Sequence, residues 1–177
     1  RNLKVLDCCA GGNPETKFDV EHPMSYPTAI ASVFGSINID TYDIRDDSFA
    51  KNKQDYLETK LNYNPNLVIT NPPFNIATKI IEKALEDVEE DGYVIMLLRL
   101  NFFGSDERFP FFEKYMPEWC FVHHKRIGFT DKKDKDGKTI IDNKAGLLKK
   151  GSTDSIEYAH YVFRKNYKPD YTKLVLI

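Results

Sequence analysis

Cysteine, long apolar runs and net charge are all in short supply in this 177-residue chain, and each shortage excludes something. The three cysteines, Cys8, Cys9 and Cys120, form an odd set with no metal-ligand spacing. They read as small buried thiols and not as a disulfide framework or a zinc site, so no metal is expected. Adjacent Cys8 and Cys9, taken as strand residues, point to opposite faces. No apolar stretch approaches the roughly 20 residues of a membrane span. The opening "RNLKVLDCCAGG" leads into a strand and lacks the form of a cleavable signal, so the expectation is a cytoplasmic protein with no membrane partner. The chain begins at Arg1, without a methionine, which leaves room for a preceding segment. Lysine and arginine total 25 against 27 acidic residues, a net charge of −2 that gives no global pull toward nucleic acid.

What is present is more informative. Apolar residues make up 41% of the chain, enough at this length to bury one core, so residues 1–177 are expected to form a single domain. Charge is unevenly spread: between Lys125 and Lys150 stand nine lysines and arginines against four aspartates, a local excess of five. The surrounding stretch is glycine-containing and only weakly apolar, which marks 130–155 as a long mobile loop.

Apolar patterning alternates between strand and helix. "LKVLDCC" is a β-like run closed by "AGGNP", and "TAIASVFG" has helical composition with Pro27 in its first turn and Gly35 as its stop. "INIDTYDIR" alternates apolar and polar residues as a strand does, and "SFAKNKQDYLETKLNYNPN" reads as a polar helical segment before the strand "LVIT". Ile76, Ile80, Ile81, Ala84, Leu85 and Val88 share one helical face that ends at Asp91-Gly92. "YVIMLLRL" is a continuous apolar run, as in a strand covered on both faces. A short helix in "DERFPFFEKYM", strands in "WCFVHHKRIGF" and "IEYAHYVFRK", and an edge strand or tail in "KLVLI" complete the pattern. The alternation predicts a doubly wound α/β domain, whose ligands sit outside the carboxyl ends of the strands.

Three segments fall at those ends. Asp7 and the pair Gly11-Gly12 follow the first strand, with glycines that let backbone approach a ligand closely. An acid after the second strand suits a ribose, because one carboxylate can accept two hydrogen bonds from a vicinal diol. Asp43 fits best and Asp40 is the alternative; the same "DIRDD" also reads as a solvated turn with Asp46 or Asp47 as a helix cap. Pro72 and Pro73 end the third strand after Asn71, since neither can donate to a ladder. Asn71-Pro72-Pro73-Phe74 reads either as a stiff site or as a strand-to-helix connection with Asn71 as a cap.

Together these segments resemble the S-adenosylmethionine-dependent DNA adenine-N6 methyltransferases, particularly the small phage-type and bacterial ones, over nearly the whole chain. "LDCCAGG" is similar to that family's cofactor loop, "YDIRDDSF" to its acidic motif and "NPPF" to its catalytic motif. The resemblance implies a Rossmann-like class I methyltransferase fold, with a mostly parallel sheet and an antiparallel strand near the C-terminal end. It implies S-adenosylmethionine as cofactor, held by Asp7, Cys8, Cys9, Ala10, Gly11 and Gly12, by Asp43 and Ile44, by Asp47, Ser48 and Phe49 beside the adenine ring, and by Asn71. Asn71, Pro72, Pro73 and Phe74 are the implied catalytic residues. DNA with a flipped adenine is the implied partner. On the same resemblance the loop over 130–155 is expected on the target side, with Arg99, Asn101 and Phe102 expected to line the target pocket and Lys125 and Arg126 to bind phosphate. His123 and His124 read as phosphate contacts or as a strand-end surface.

The chemistry accounts for the motif. Adenine's exocyclic amine is a poor nucleophile because its lone pair is delocalised into the ring. If the Asn71 side-chain oxygen and the Pro72 carbonyl each accept one N–H, the nitrogen can pyramidalise and direct its lone pair at a sulfonium methyl. Phe74 offers a face for the flipped base. The alternatives are an RNA adenine or guanine methyltransferase, a protein-glutamine methyltransferase, and a catalytically silent binding module of the same fold.

Overall fold

A computed structural model of the protein describes residues 3–12, 23–35, 37–125, 127, 135–136, 141–142, 147–148 and 156–177. The strands are β1 (Val5–Asp7), β2 (Ile39–Thr41), β3 (Leu67–Thr70), β4 (Tyr93–Arg99), β5 (Trp119–Val122), β6 (Ile141–Asp142), β7 (Leu147–Leu148), β8 (Tyr158–Arg164) and β9 (Lys173–Leu176). The helices are α1 (Ser25–Phe34), α2 (Ala77–Asp87) and α3 (Phe109–Lys114). Seven strands form one sheet in the order β2-β1-β3-β4-β8-β5-β9, and β6 and β7 form a separate antiparallel pair. Only β8 runs against its neighbours in the large sheet, which is the expected doubly wound arrangement with its antiparallel strand near the C-terminal end.

The chain leaves β1 for β2 in one direction and leaves β3 for β4 in the other. Right-handed crossovers therefore put α1 and α2 on opposite faces, and the reversal falls between β1 and β3. On the α2 face, Ile80, Ile81, Ala84 and Leu85 bury against Leu6, Val68, Val94, Met96 and Leu98. Each large aliphatic side chain buried there contributes roughly 1.5–3 kcal/mol. α1, in contrast, has no buried residue.

β3 ends at Thr70, where the two prolines forbid further pairing. α2 stops at Asp87, and Asp91 at φ 62° turns the chain into β4; a side chain at Gly92 would meet the Glu89 carbonyl at 2.8 Å. The β4–β8 ladder runs from Tyr93 opposite Arg164 to Arg99 opposite Tyr158, which brings Tyr158 to the carboxyl end of β4.

Two expectations need correction. The polar helix in 48–66 is only a single 3-10 turn, Tyr56–Glu58. The chain before it is held beside β2, where Lys51 N donates to Thr41 Oγ1 and Asn52 N to the Thr41 carbonyl, while Asp55 caps the short turn. Backbone committed to β2 is not free to coil. β1 also ends two residues early: Cys8 and Cys9 lie in a turn, so strand alternation does not govern their faces. Cys8 is buried, Cys9 half-buried, and both are free thiols.

Candidate active site

A cavity of about 570 Å³ opens at the carboxyl ends of β1, β2 and β3, at the point where the strand order reverses. Cys8, Cys9, Gly11, Asp43, Ile44 and the whole Asn71–Phe74 motif line it, so the three segments singled out from the sequence do converge.

The glycine loop is shaped by its conformation. Gly11 and Gly12 have φ of 63° and 74°, and a Cβ on Gly12 would come within 2.8 Å of the Phe49 ring. Gly11 N donates to Asp43 Oδ2 at 2.8 Å, and Phe49 N donates to the Gly11 carbonyl at 3.0 Å, tying the loop to the segment after β2. Ala10 is buried and donates to the Tyr42 carbonyl. Asp43 is thus held at the rim. Its Oδ1 accepts from Arg45 N at 2.9 Å and from Arg45 Nε at 3.3 Å, and Arg45 Nη2 reaches the Gly12 carbonyl at 2.9 Å.

Asp7 lies beneath the cavity. It is 1% exposed and accepts Thr70 Oγ1–H at 2.6 Å and Cys9 N–H at 3.3 Å. Burial pushes its carboxyl up to about 7, against the pull of the Thr70 and Cys9 hydrogen bonds. The residue fastens β1 to β3 and does not line the cavity. Asp40, the alternative ribose ligand, is taken up by Tyr63 Oη–H and Asn52 Nδ2–H, both at 2.9 Å.

The acidic stretch divides after Ile44. Ile44 is exposed on the cavity wall, whereas Asp47, Ser48 and Phe49 are outside the lining. Asp47 faces Arg45 at 3.6 Å; Ser48 is buried, donating to the Arg45 carbonyl and bonded by Lys53; Phe49 braces Gly12. The lining adds residues that sequence reasoning missed: Arg45, the turn Asp55-Tyr56-Leu57, Ile76, Ile80 and Tyr158. Within that turn Asp55 accepts Leu57 N–H at 2.9 Å, and the buried Tyr56 donates its hydroxyl to Asp87.

At the acceptor side, Asn71 is exposed and its side chain makes no hydrogen bond among the described residues. The turn after the prolines has Pro73 at its N-cap and α2 has Ile76, neither with a side-chain cap, so Asn71 is not a cap. Phe74 is half-buried between two partners: the Tyr158 ring, centroids 6.1 Å apart and tilted by 37°, and the Arg99 guanidinium, 5.1 Å from its centroid. Asn101 is exposed. Phe102 is core, 5% exposed and edge-on to Phe112 and Tyr161, because the chain turns inward after β4. Lys125 is exposed; Arg126, and all of 130–155 except 135–136, 141–142 and 147–148, lie outside the described residues. His123 turns inward, its Nε2 2.8 Å from His160 Nδ1, while His160 Nε2 meets Tyr26 Oη at 2.8 Å. Burial lowers both imidazoles, His160 to about 4. His124 Nδ1 meets the Ile177 carbonyl at 2.5 Å.

Among the described residues no helix is long and apolar enough to cross a membrane, and no group of His, Cys, Asp and Glu has the arrangement of a metal site. No family profile and no curated protein sequence matches the chain. Its likeness is to solved structures. A candidate class I S-adenosylmethionine-dependent methyltransferase from Listeria monocytogenes superposes with a TM-score of 0.59 at 15% identity, covering 99% of this chain and 58% of that one. A predicted O-methyltransferase from Agrobacterium tumefaciens gives 0.56 at 12% identity, over 99% of this chain and 78% of that one. An S-adenosylmethionine-dependent O-methyltransferase from Thermotoga maritima gives 0.56 at 11% identity, over 96% and 62%. The chain therefore spans little more than half the length of the Listeria protein. At these identities the likeness establishes the fold: this is the Rossmann-like class I methyltransferase fold.

Proposed function

We propose that this chain transfers a methyl group from S-adenosylmethionine to the N6 amine of an adenine in DNA. The observation that supports this most is Asn71: exposed at the cavity, held by two prolines, and with no hydrogen bond of its own among the described residues. A stiff turn that keeps an amide unpaired beside an aromatic ring costs conformational freedom and gains no cap, which is the pattern of a binding group.

The cavity fits the cofactor. Its volume is in the range of small-molecule sites, Gly11 lines it without a side chain, and Asp43 offers a carboxylate at the rim. Bound there, S-adenosylmethionine supplies an electrophilic methyl group. Asp43 would bond the ribose hydroxyls, Ile44 would cover the adenine ring, and the Asp55–Leu57 turn would present polar groups to its edge. Asn71 Oδ1 and the Pro72 carbonyl, which no described residue engages, would each accept one hydrogen of the acceptor amine. Two acceptors fixed in advance require no reorganisation as positive charge develops on the nitrogen. The packed rings of Phe74 and Tyr158 would present an aromatic wall for the base to lie against, and Arg99 beside Phe74 would meet the adjoining phosphate.

The test is labelled methyl transfer to a methyl-free DNA duplex library and to matched RNA oligomers, followed by mapping of the modified atom. N6-methyladenine in DNA is the expected product. Label confined to RNA, or to protein, assigns the site to a different acceptor. Cofactor binding with no transfer to any of these leaves a binding module.

A further inference from the structure

Asp43 has too few free lone pairs for the role given to it. An ionised carboxylate offers about four acceptor positions. Three are in use: Gly11 N on Oδ2 at 2.8 Å, and Arg45 N and Nε on Oδ1 at 2.9 and 3.3 Å. A ribose diol brings two hydroxyl donors. One existing bond must therefore yield, and the candidates differ. Gly11 N–H and Arg45 N–H are backbone groups fixed by the glycine loop and by the turn after β2. The Arg45 Nε bond is the longest of the three, and its side chain is 47% exposed.

Arg45 also does something the other donors do not. Its Nη2 bonds the Gly12 carbonyl at 2.9 Å, and its Nη1 faces Asp47 at 3.6 Å, so the guanidinium bridges the glycine loop and the loop after β2 along the cavity rim. A Cβ on Gly11 would lie 3.9 Å from the same Nη2, which shows how closely the side chain crosses the loop. We infer that Arg45 is a strap across the cofactor site, fastened to Asp43 and Gly12, and that a ribose diol displaces its Nε from Asp43. This rests on the cofactor reading above. The strap makes the diol itself the signal for opening: a ligand with both hydroxyls replaces the Arg45 bond it breaks, whereas a ligand without them leaves Arg45 in place.

The consequence is a penalty on diol binding that Arg45 imposes and its removal lifts. A partly exposed ion pair with a long hydrogen bond is weak, so the effect is a factor of about two to five in affinity. The experiment is calorimetric titration of wild type and Arg45→Ala with S-adenosylhomocysteine and with its 2′,3′-dideoxy analogue. Both ligands carry no net charge, so removing a cation does not by itself favour either. The strap predicts that Arg45→Ala binds S-adenosylhomocysteine about two- to fivefold more tightly and binds the dideoxy analogue as wild type does. Equal affinity of the two proteins for S-adenosylhomocysteine, or weaker binding by Arg45→Ala, overturns the strap; the weaker result makes Arg45 a clasp on the bound ligand. Equal tightening for both ligands also overturns it, because the gain then has nothing to do with the diol. Failure of both proteins to bind S-adenosylhomocysteine refutes the cofactor reading itself, and with it the strap.

Discussion

Replacing Asp7 with Asn should make the protein more stable at neutral pH. Asp7 is 1% exposed, its hydrogen bonds come from Thr70 and Cys9, and it has no ion pair among the described residues. Burial moves its carboxyl from 3.8 to about 7. Because the folded state holds this proton to higher pH than the unfolded chain does, stability falls as pH rises through that window. Above pH 7 the ionised group costs the folded state about 4 kcal/mol. His160 works in the opposite direction. Its imidazole is lowered from 6.5 to about 4 by burial and by His123, so the unfolded chain takes up the proton first and stability is lost as pH falls from 6.5 to 4. The two slopes oppose one another where they overlap. Asn keeps Oδ1 for Thr70 and Cys9 while removing the charge. Urea unfolding at pH 7.5 should show Asp7→Asn more stable than wild type by up to about 4 kcal/mol. Repeated at pH 5, the gain should shrink, and the variant alone should show the full acid-side loss set by His160. A variant no more stable than wild type at pH 7.5 would refute the view of Asp7 as a buried, poorly compensated carboxyl.

Two further predictions concern ligands. Asp43→Ala leaves the ribose hydroxyls without their acceptor and frees Gly11 N–H, so cofactor affinity should fall by about 1–3 kcal/mol with DNA affinity little changed; an unaltered dissociation constant in calorimetry would remove Asp43 from the site. Replacing Lys132, Lys133, Lys135, Lys149 and Lys150 with Gln should flatten the dependence of DNA affinity on salt and leave cofactor binding intact. The same slope of log affinity against log salt in both proteins would show that DNA is held elsewhere.

The parts of this fold that were legible in the sequence are those set by local chemistry. Two prolines had to end β3 at Thr70, and "YVIMLLRL" could hardly be other than a strand buried on both faces. Gly35, at φ 74°, stops α1 as its position suggested. What could not be read depends on long-range partners. The segment after Ser48 has helical composition, yet its backbone is claimed by Thr41, ten residues back. Asp55-Tyr56-Leu57 reach the cavity only because of that detour, so no local signal marked them. Tyr158 enters through the antiparallel ladder with β4, a pairing of residues 59 positions apart in sequence at Arg99. Asp7 ends a strand and Phe102 follows one, positions where the resemblance implies ligand contacts, yet both are turned inward by packing that strand position alone does not reveal. The convergence of the glycine loop, Asp43 and Asn71 was legible because the doubly wound topology brings the carboxyl ends of neighbouring strands together.

The central claim is that Asn71 is there for the acceptor and not for the fold, and one comparison tests it directly: single-turnover methylation of adenine in duplex DNA by wild type and Asn71→Ala at saturating cofactor, with cofactor affinity and unfolding free energy measured on the same preparations. Since the side chain is exposed and unbonded among the described residues, stability and cofactor affinity should stay within error of wild type. The rate should fall by about a hundredfold or more, the scale of losing one preorganised hydrogen bond in the transition state. An unchanged rate at saturation, or a loss of rate explained wholly by lost stability, would contradict the account.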